Sequence, residues 1–79
     1  MPVQVMLAAS LRKYVPGYDG AVGHSLEIQR GETVLHVARK LEIPPEEVKL
    51  IMVNGIGSTW DKVLEGDERV AFFPPVGGG

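Results

Sequence analysis

The sequence predicts an α+β domain in which one main helix covers a mixed sheet of about four to five strands. Three observations support this fold class. Apolar and polar residues alternate in segments near both chain ends, a period typical of half-buried strands. One central segment, starting at Thr33, instead repeats its apolar residues at helical spacing. Asn54 and Gly55 form a dipeptide typical of a two-residue hairpin turn, which predicts a further strand pair.

The first part of the chain predicts a strand, a long loop and a second strand. Val3, Val5 and Leu7 alternate with neighbours that would face the other side of a sheet. Residues 12–23 contain a proline and several glycines, so we expect an extended loop there. Alternation resumes in residues 24–29, which we expect to pair with the first strand as a hairpin.

The central segment predicts an amphipathic helix with recognisable ends. Thr33 is the expected N-cap, and Arg39 and Lys40 suit the negative end of the helix dipole. Pro44 forbids continuation, so the helix should stop near Glu42. The apolar positions that should face the sheet are Val34, Val37, Ala38 and Leu41.

The last part of the chain predicts two more strands around the hairpin turn. Residues 48–53 form a mostly apolar run before Asn54-Gly55, and a turn at residues 65–67 precedes alternation up to Phe73. A helix between such strands favours the β-grasp fold, in which the first and last strands lie side by side in the middle of the sheet. We expect this domain to span residues 1–73.

Composition excludes several classes of function. A chain of 79 residues with a net charge of -2 can form one modest core and lacks the basic excess of a nucleic-acid binder. It has no cysteine, so disulfides, thiolate metal sites and a catalytic thiol are excluded. No apolar run approaches the length of a membrane span. We therefore expect a soluble, cytoplasmic protein that contacts neither nucleic acid nor membrane and binds no metal or cofactor of its own.

Few side chains have the spacing of a catalytic or metal site. His24 and His36 lie in different elements without partners at zinc-ligand spacing. The acidic residues within 46–47 and 65–68 are expected to be exposed to water rather than paired for acid–base chemistry. Trp60 is expected to be a partly buried anchor over the sheet. The sequence contains no phosphate-binding loop of the Walker type.

The most informative stretch is "FFPPVGGG" at residues 72–79. Pro74 and Pro75 cannot donate backbone hydrogen bonds, so they should end the strand and stiffen the exit. Glycines without side chains can enter a channel too narrow for other residues, and the extended segment 74–79 reaches about 20 Å. We expect a flexible tail whose carboxylate at Gly79 lies outside the folded body. The alternative is an ordinary frayed terminus.

A partner that binds a tail of this kind also needs a second contact, with the folded body. Ordering six residues in a partner costs several kcal/mol, at about 1–2 kcal/mol per residue, so the partner must also grip the folded body. We predict an apolar patch beside the tail that includes Phe73, Val76 and Ile56. Strand alternation requires that only one of Phe72 and Phe73 faces the core.

Three stretches together carry a family resemblance: "LRKYVPGY" at 11–18, "VNG" at 53–55 and "LEGDERVAFFPPVGGG" at 64–79. In element order and in these stretches the chain resembles the ubiquitin-like sulfur carriers of the molybdopterin synthase small-subunit and thiamine-biosynthesis type, the MoaD/ThiS family. The resemblance implies that an E1-like adenylating enzyme activates the C-terminal glycine with ATP and Mg²⁺. A sulfurtransferase then supplies the sulfur of a thiocarboxylate, which the molybdopterin synthase large subunit or another synthase accepts.

The resemblance also implies roles for single residues. Gly79 would carry the sulfur, and Gly78 and Gly77 would let it enter the active sites of partner enzymes. The residues that would contact the partner are Phe73, Pro74, Pro75 and Val76. Many members of the family end in two glycines after a small residue, whereas this sequence has three, and its loop at 12–23 is long. A thiazole-type carrier, a protein modifier conjugated through Gly79 and a plain interaction module therefore stay open.

Overall fold

A computed structural model describes residues 2–75 and confirms the α+β, β-grasp prediction. Within this range the strands are β1 (Pro2–Leu7), β2 (His24–Glu27), β3 (Leu50–Val53), β4 (Ile56–Gly57) and β5 (Arg69–Phe73). The helices are α1 (Val34–Lys40) and two 3-10 helices at Ala9–Tyr14 and Pro45–Glu47. The sheet order is β2-β1-β5-β3-β4, with β1 and β5 parallel and the other neighbours antiparallel. The first and last strands are central, as predicted.

The core lies between α1 and one face of the sheet. Val70 and Phe72 of β5 are fully buried there, and so are alternate residues of β1 and the apolar side of α1. Phe72 also contacts the ring of Trp60, with 5.6 Å between ring centroids. Burial of a side chain such as Phe72 contributes about 1.5–3 kcal/mol to stability, and this contribution keeps β5 in place.

The ends of α1 follow the sequence prediction. Thr33 and His36 form a reciprocal cap, in which the Thr33 hydroxyl accepts from the His36 N–H and His36 Nδ1 accepts from the Thr33 N–H at 3.0 Å. At the other end Glu42 adopts a positive φ of 59°, and the Ile43 N–H donates to the Ala38 carbonyl. This tight ending allows the diproline to begin directly after Ile43.

The hairpin turn between β3 and β4 is also confirmed. Asn54 and Gly55 both have positive φ angles, 53° and 81°, which a two-residue turn of this kind requires. Asn54 does more than turn the chain: its side-chain oxygen accepts from the Arg69 N–H at 2.9 Å, and its own N–H donates to the Arg69 carbonyl. The turn therefore holds the beginning of β5.

The extended loop predicted for residues 12–23 is wrong in its first part, because the 3-10 helix Ala9–Tyr14 reaches into it. The physical reason is the burial of Leu11 and Val15, whose i, i+4 spacing places both in the core. The remaining loop crosses close to β1: a Cβ on Gly23 would lie only 2.9 Å from the Val5 carbonyl oxygen. Glycine is needed there both for this close approach and for a φ of 87°.

Candidate functional site

β5, the strand that precedes the tail, ends where the following residues can no longer donate backbone hydrogen bonds. The Lys49 N–H donates to the Phe73 carbonyl at 2.8 Å, and the next two residues, Pro74 and Pro75, have no N–H. Pro74 is half-buried and Pro75 is exposed. The chain therefore leaves the sheet directly after Phe73, from a central strand that is paired on both sides. The remaining candidates, Val76, Gly77, Gly78 and Gly79, lie outside the described residues, and their roles stay predictions.

Phe73 lies on the side of the sheet that α1 does not cover, which we call the open face. Phe72 points into the core with no exposed surface, so alternation places Phe73 on the opposite side. Strand register puts Leu50 beside Phe73, and Ala71 between Met52 and Met6. We call these five residues the open-face patch: Met6, Leu50, Met52, Ala71 and Phe73. All are at least partly accessible, and Leu50 is 46% exposed. An apolar surface thus adjoins the exit of the tail.

The structure does not bring Ile56 into this patch. Ile56 is 72% exposed, but it pairs with Val53, whose side chain faces the core. Paired residues share a face of the sheet, so Ile56 lies at the edge of the helix-covered face and away from Phe73. The role of Ile56 in partner binding stays a prediction. The residues of the open-face patch on β1 and β3 were not among the candidates selected from the sequence. Strand alternation in 50–53 was the signal that could have found two of them.

A buried carboxylate organises the turn before β5. Glu68 is 6% exposed, and its two oxygens accept from the backbone N–H groups of Glu65, Gly66 and Asp67 at 2.7, 2.9 and 3.2 Å. Burial alone would raise the pKa of Glu68, but the hydrogen bonds from these backbone groups outweigh it and lower the pKa. The expectation that the acidic residues of 65–68 are water-exposed is wrong for Glu68, because a turn backbone uses it as an internal acceptor.

A second acid expected to be free is also engaged. The Tyr14 hydroxyl donates to Glu47 Oε1 at 2.7 Å, which ties the two 3-10 helices together. This hydrogen bond, with smaller contributions from desolvation and the negative charge, raises the pKa of Tyr14. Glu47 is half-buried rather than fully exposed. The Tyr14–Glu47 pair therefore has a structural role: it stabilises the packing of the two 3-10 helices.

Arg12 and Tyr18 complete the backbone pairing at the end of β1. Beyond the last residue that pairs with β2, the Leu7 N–H donates to the Tyr18 hydroxyl at 2.8 Å, and Arg12 Nε donates to the Leu7 carbonyl at 3.1 Å. The Arg12 guanidinium also lies over the Tyr18 ring, 5.6 Å from its centroid. Sequence reasoning missed this arrangement, because the loop predicted at 12–23 carried no periodic signal.

The other candidates behave as structural residues. Trp60 is half-buried against the core, which confirms the predicted anchor. His36 caps α1 and His24 begins β2. Among residues 2–75 no group of three or more histidine or acidic side chains is arranged to hold a metal ion. Over the same range, every helix is too short or too polar to cross a membrane.

Three solved structures share this fold at low sequence identity. SAMP1 from Haloferax volcanii matches with a TM-score of 0.72 at 16% identity, over 100% of both chains. The HVO 2177 protein from Haloferax volcanii matches with a TM-score of 0.76 at 21% identity, over 100% of this chain and 87% of that one. A protein from Pyrococcus furiosus described as molybdopterin converting factor, subunit 1, matches with a TM-score of 0.68 at 23% identity, over 96% of this chain and 99% of that one.

These likenesses confirm the ubiquitin-like fold that the sequence resemblance implied. A comparison with curated proteins gives no match. The sequence profile of one family, described as Mut7-C ubiquitin, matches residues 1–77, almost the whole of the chain. The protein is therefore a member of the Mut7-C ubiquitin family.

Proposed function

We propose that this protein is a ubiquitin-like sulfur carrier and not itself an enzyme. In this proposal an E1-like enzyme joins the Gly79 carboxylate to AMP, using ATP and Mg²⁺, and releases pyrophosphate. Sulfide then displaces AMP at the acyl carbon, which leaves a thiocarboxylate on Gly79. Where the sulfur comes from the persulfide of a sulfurtransferase, its outer sulfur displaces AMP, and a second thiol of the partner enzyme then cleaves the acyl disulfide to the thiocarboxylate and an enzyme disulfide. A synthase accepts the sulfur, and hydrolysis restores the carboxylate for the next cycle.

The chemistry explains why the carrier depends on partners. A carboxylate is a poor electrophile, so it needs a good leaving group before a sulfur nucleophile can attack. The chain contains no Walker-type loop for ATP, so the adenylating enzyme must bring the nucleotide. Cysteine is absent, so no thiolate of the carrier competes for the activated acyl group. The carrier supplies a reactive end and a surface by which enzymes hold it.

One observation carries the proposal: the open-face patch lies beside the point where β5 ends in Pro74 and Pro75. A partner that grips this patch while it binds residues 74–79 offsets part of the ordering cost of the tail, about 1–2 kcal/mol per residue. Burial of apolar side chains such as Phe73 and Leu50 contributes to this offset, at about 25 cal/mol per Å². The patch and the tail therefore form one two-part binding site.

Among the pathways that could accept the sulfur, we propose molybdopterin synthesis first. The fold is shared with the Pyrococcus furiosus protein described as molybdopterin converting factor, subunit 1, at nearly full coverage of both chains. The sulfur acceptor would then be a molybdopterin synthase large subunit. A thiazole synthase is the alternative acceptor, and the same thiocarboxylate would serve it.

Intact-mass analysis tests the proposal directly. The protein is first isolated from its native source, where its mass must show a free carboxylate on Gly79. It is then incubated with the E1-like enzyme of the same organism, MgATP and sulfide. We expect a mass increase equal to the exchange of one oxygen for sulfur, located on Gly79 by fragmentation. Deletion of Gly79 is the matched control. An unchanged mass, under conditions in which an established carrier is converted, contradicts the proposal.

Protein modification is a second candidate, favoured by the ubiquitin-like family to which the chain belongs. Here a lysine amine replaces AMP at the acyl carbon, which forms an isopeptide bond through Gly79. The same incubation, supplemented with an extract of the native cells, separates the two candidates. Adducts that contain a lysine-linked Gly79 peptide favour the modifier, whereas thiocarboxylate without adducts favours the carrier.

A further inference from the structure

A groove on the open face includes a positively charged side chain in its lining. It has a volume of about 240 Å³. Met6, Ala71, Phe73 and Tyr18 are among the residues that line it. Arg12 also lines the groove, and it is the one charged residue among the described residues that do so. The groove therefore combines apolar walls with a single guanidinium.

Arg12 is held in place before any partner arrives. Its Nε donates to the Leu7 carbonyl, and its guanidinium lies over the Tyr18 ring. The backbone of Gly20 passes beside the guanidinium, since an added Cβ would lie 3.4 Å from Arg12 Nη1, an ordinary van der Waals distance. An arginine that is already ordered loses little side-chain entropy when it binds a ligand.

The outer nitrogens of Arg12 are available to a ligand. Within residues 2–75 Arg12 forms no ion pair, and its Nη groups donate to no acceptor in that range. Asp19 is the acid nearest to Arg12 in the sequence, and its Oδ1 accepts from the Ala21 N–H at 2.8 Å. A guanidinium of this kind matches a carboxylate, which can accept two parallel N–H bonds from it.

We propose that this groove binds an acidic segment of a protein partner, in which an apolar side chain fills the space lined by Phe73 and Tyr18 and an adjacent carboxylate pairs with Arg12. The partner's segment thus combines one apolar and one acidic residue. The inference goes beyond the proposed function, since it requires neither activation of Gly79 nor sulfur. It would stand even if the mass of Gly79 never changes.

Peptide titration followed by NMR tests the groove without an identified partner. The probe is a blocked tetrapeptide, Gly-Leu-Glu-Gly, and its matched control carries Gln in place of Glu. We expect the Glu peptide to bind with a dissociation constant on the order of 1 mM. Its shifts should be confined to the methyl groups of Met6 and Ala71 and the ring of Phe73. The Gln peptide should bind about fivefold more weakly, because it lacks the charge-assisted hydrogen bonds.

Two arginine variants test whether Arg12 supplies the positive charge that binds the Glu peptide. R12Q should reduce the affinity for the Glu peptide to that for the Gln peptide, and R39Q, on the exposed surface of α1, should leave it unchanged. If R12Q fails to fold, the comparison of the two peptides on the unaltered protein still decides. Equal affinity for both peptides, shifts elsewhere on the surface, or no saturation at about 10 mM would overturn the proposal. Shifts that depend on protein concentration alone would show that a second copy occupies the groove, and would overturn it too.

Discussion

Replacement of Glu68 by glutamine isolates the part of the fold that positions β5. The carboxylate accepts from three backbone N–H groups, one at Oε2 and two at Oε1. A glutamine amide has one acceptor oxygen, so with its oxygen in the Oε1 position it keeps two of these bonds and leaves the Glu65 N–H without an acceptor. An unsatisfied buried donor costs about 1–3 kcal/mol, and the two remaining bonds lose their charge. We expect E68Q to lower the free energy of unfolding by about 2–3 kcal/mol.

The pH dependence of this loss provides an independent check. The pKa of Glu68 is lower in the folded protein than in the unfolded chain, so its contribution is complete above about pH 5 and disappears as the pH falls through the folded pKa. The difference in the free energy of unfolding between E68Q and the unaltered protein should therefore be largest at neutral pH and should shrink in acid. Urea denaturation at several pH values measures both quantities.

The matched control for this experiment lies in the same turn. Glu65 is exposed, and the ion pair between Glu65 Oε1 and Arg30 Nε spans 3.9 Å. E65Q should therefore change stability by less than about 0.5 kcal/mol. At the melting temperature, 2–3 kcal/mol corresponds to a decrease of about 10–20 °C in a domain of this size. A loss below about 0.5 kcal/mol in E68Q, or a loss of equal size at all pH values, would refute the reasoning.

Four further substitutions test separate parts of the structure. Y18F removes the acceptor of the Leu7 N–H and should lower stability by about 1–2 kcal/mol in thermal denaturation. F72A should lower it by about 3–5 kcal/mol, whereas F73A, on the open face, should cost less than half as much and instead weaken binding to the adenylating enzyme, as measured by calorimetry. G55A places a side chain at a φ of 81° and should cost about 1 kcal/mol, measured by urea denaturation; no loss would contradict the assigned turn.

The elements that the sequence predicts well are those specified by local patterns. Thr33 caps α1 because a hydroxyl and a helix N-terminus meet within one turn of chain, so neighbours in sequence decide the outcome. The Asn54-Gly55 turn and the alternation in β1 and β5 are specified in the same way. The central pairing of β1 with β5 follows once the element order is known, since few topologies bury one helix on such a sheet.

The parts that the sequence does not predict depend on contacts between distant residues. Arg12 and Tyr18 reach the Leu7 backbone only because the 3-10 helix and the loop fold back along β1. Leu50 becomes a neighbour of Phe73 through strand register, which a one-residue shift would reverse. Glu68 has the composition of an ordinary turn acid, and only its burial beneath three N–H groups distinguishes it. Such features require the full set of long-range contacts.

The position of β5 bears on the proposed carrier function, which requires a stable body next to a reactive end. β5 is paired with β1 on one side and β3 on the other, and Glu68 and Asn54 hold its beginning. The last hydrogen bond of this network in the described range joins Lys49 to Phe73, and the diproline prevents the ladder from continuing. Substitutions in β5 should therefore affect both stability and the direction in which the chain leaves the sheet. For the proposed carrier function, a substitution after Pro75 that removes carrier activity without loss of stability would assign the reactive role to the segment after the diproline.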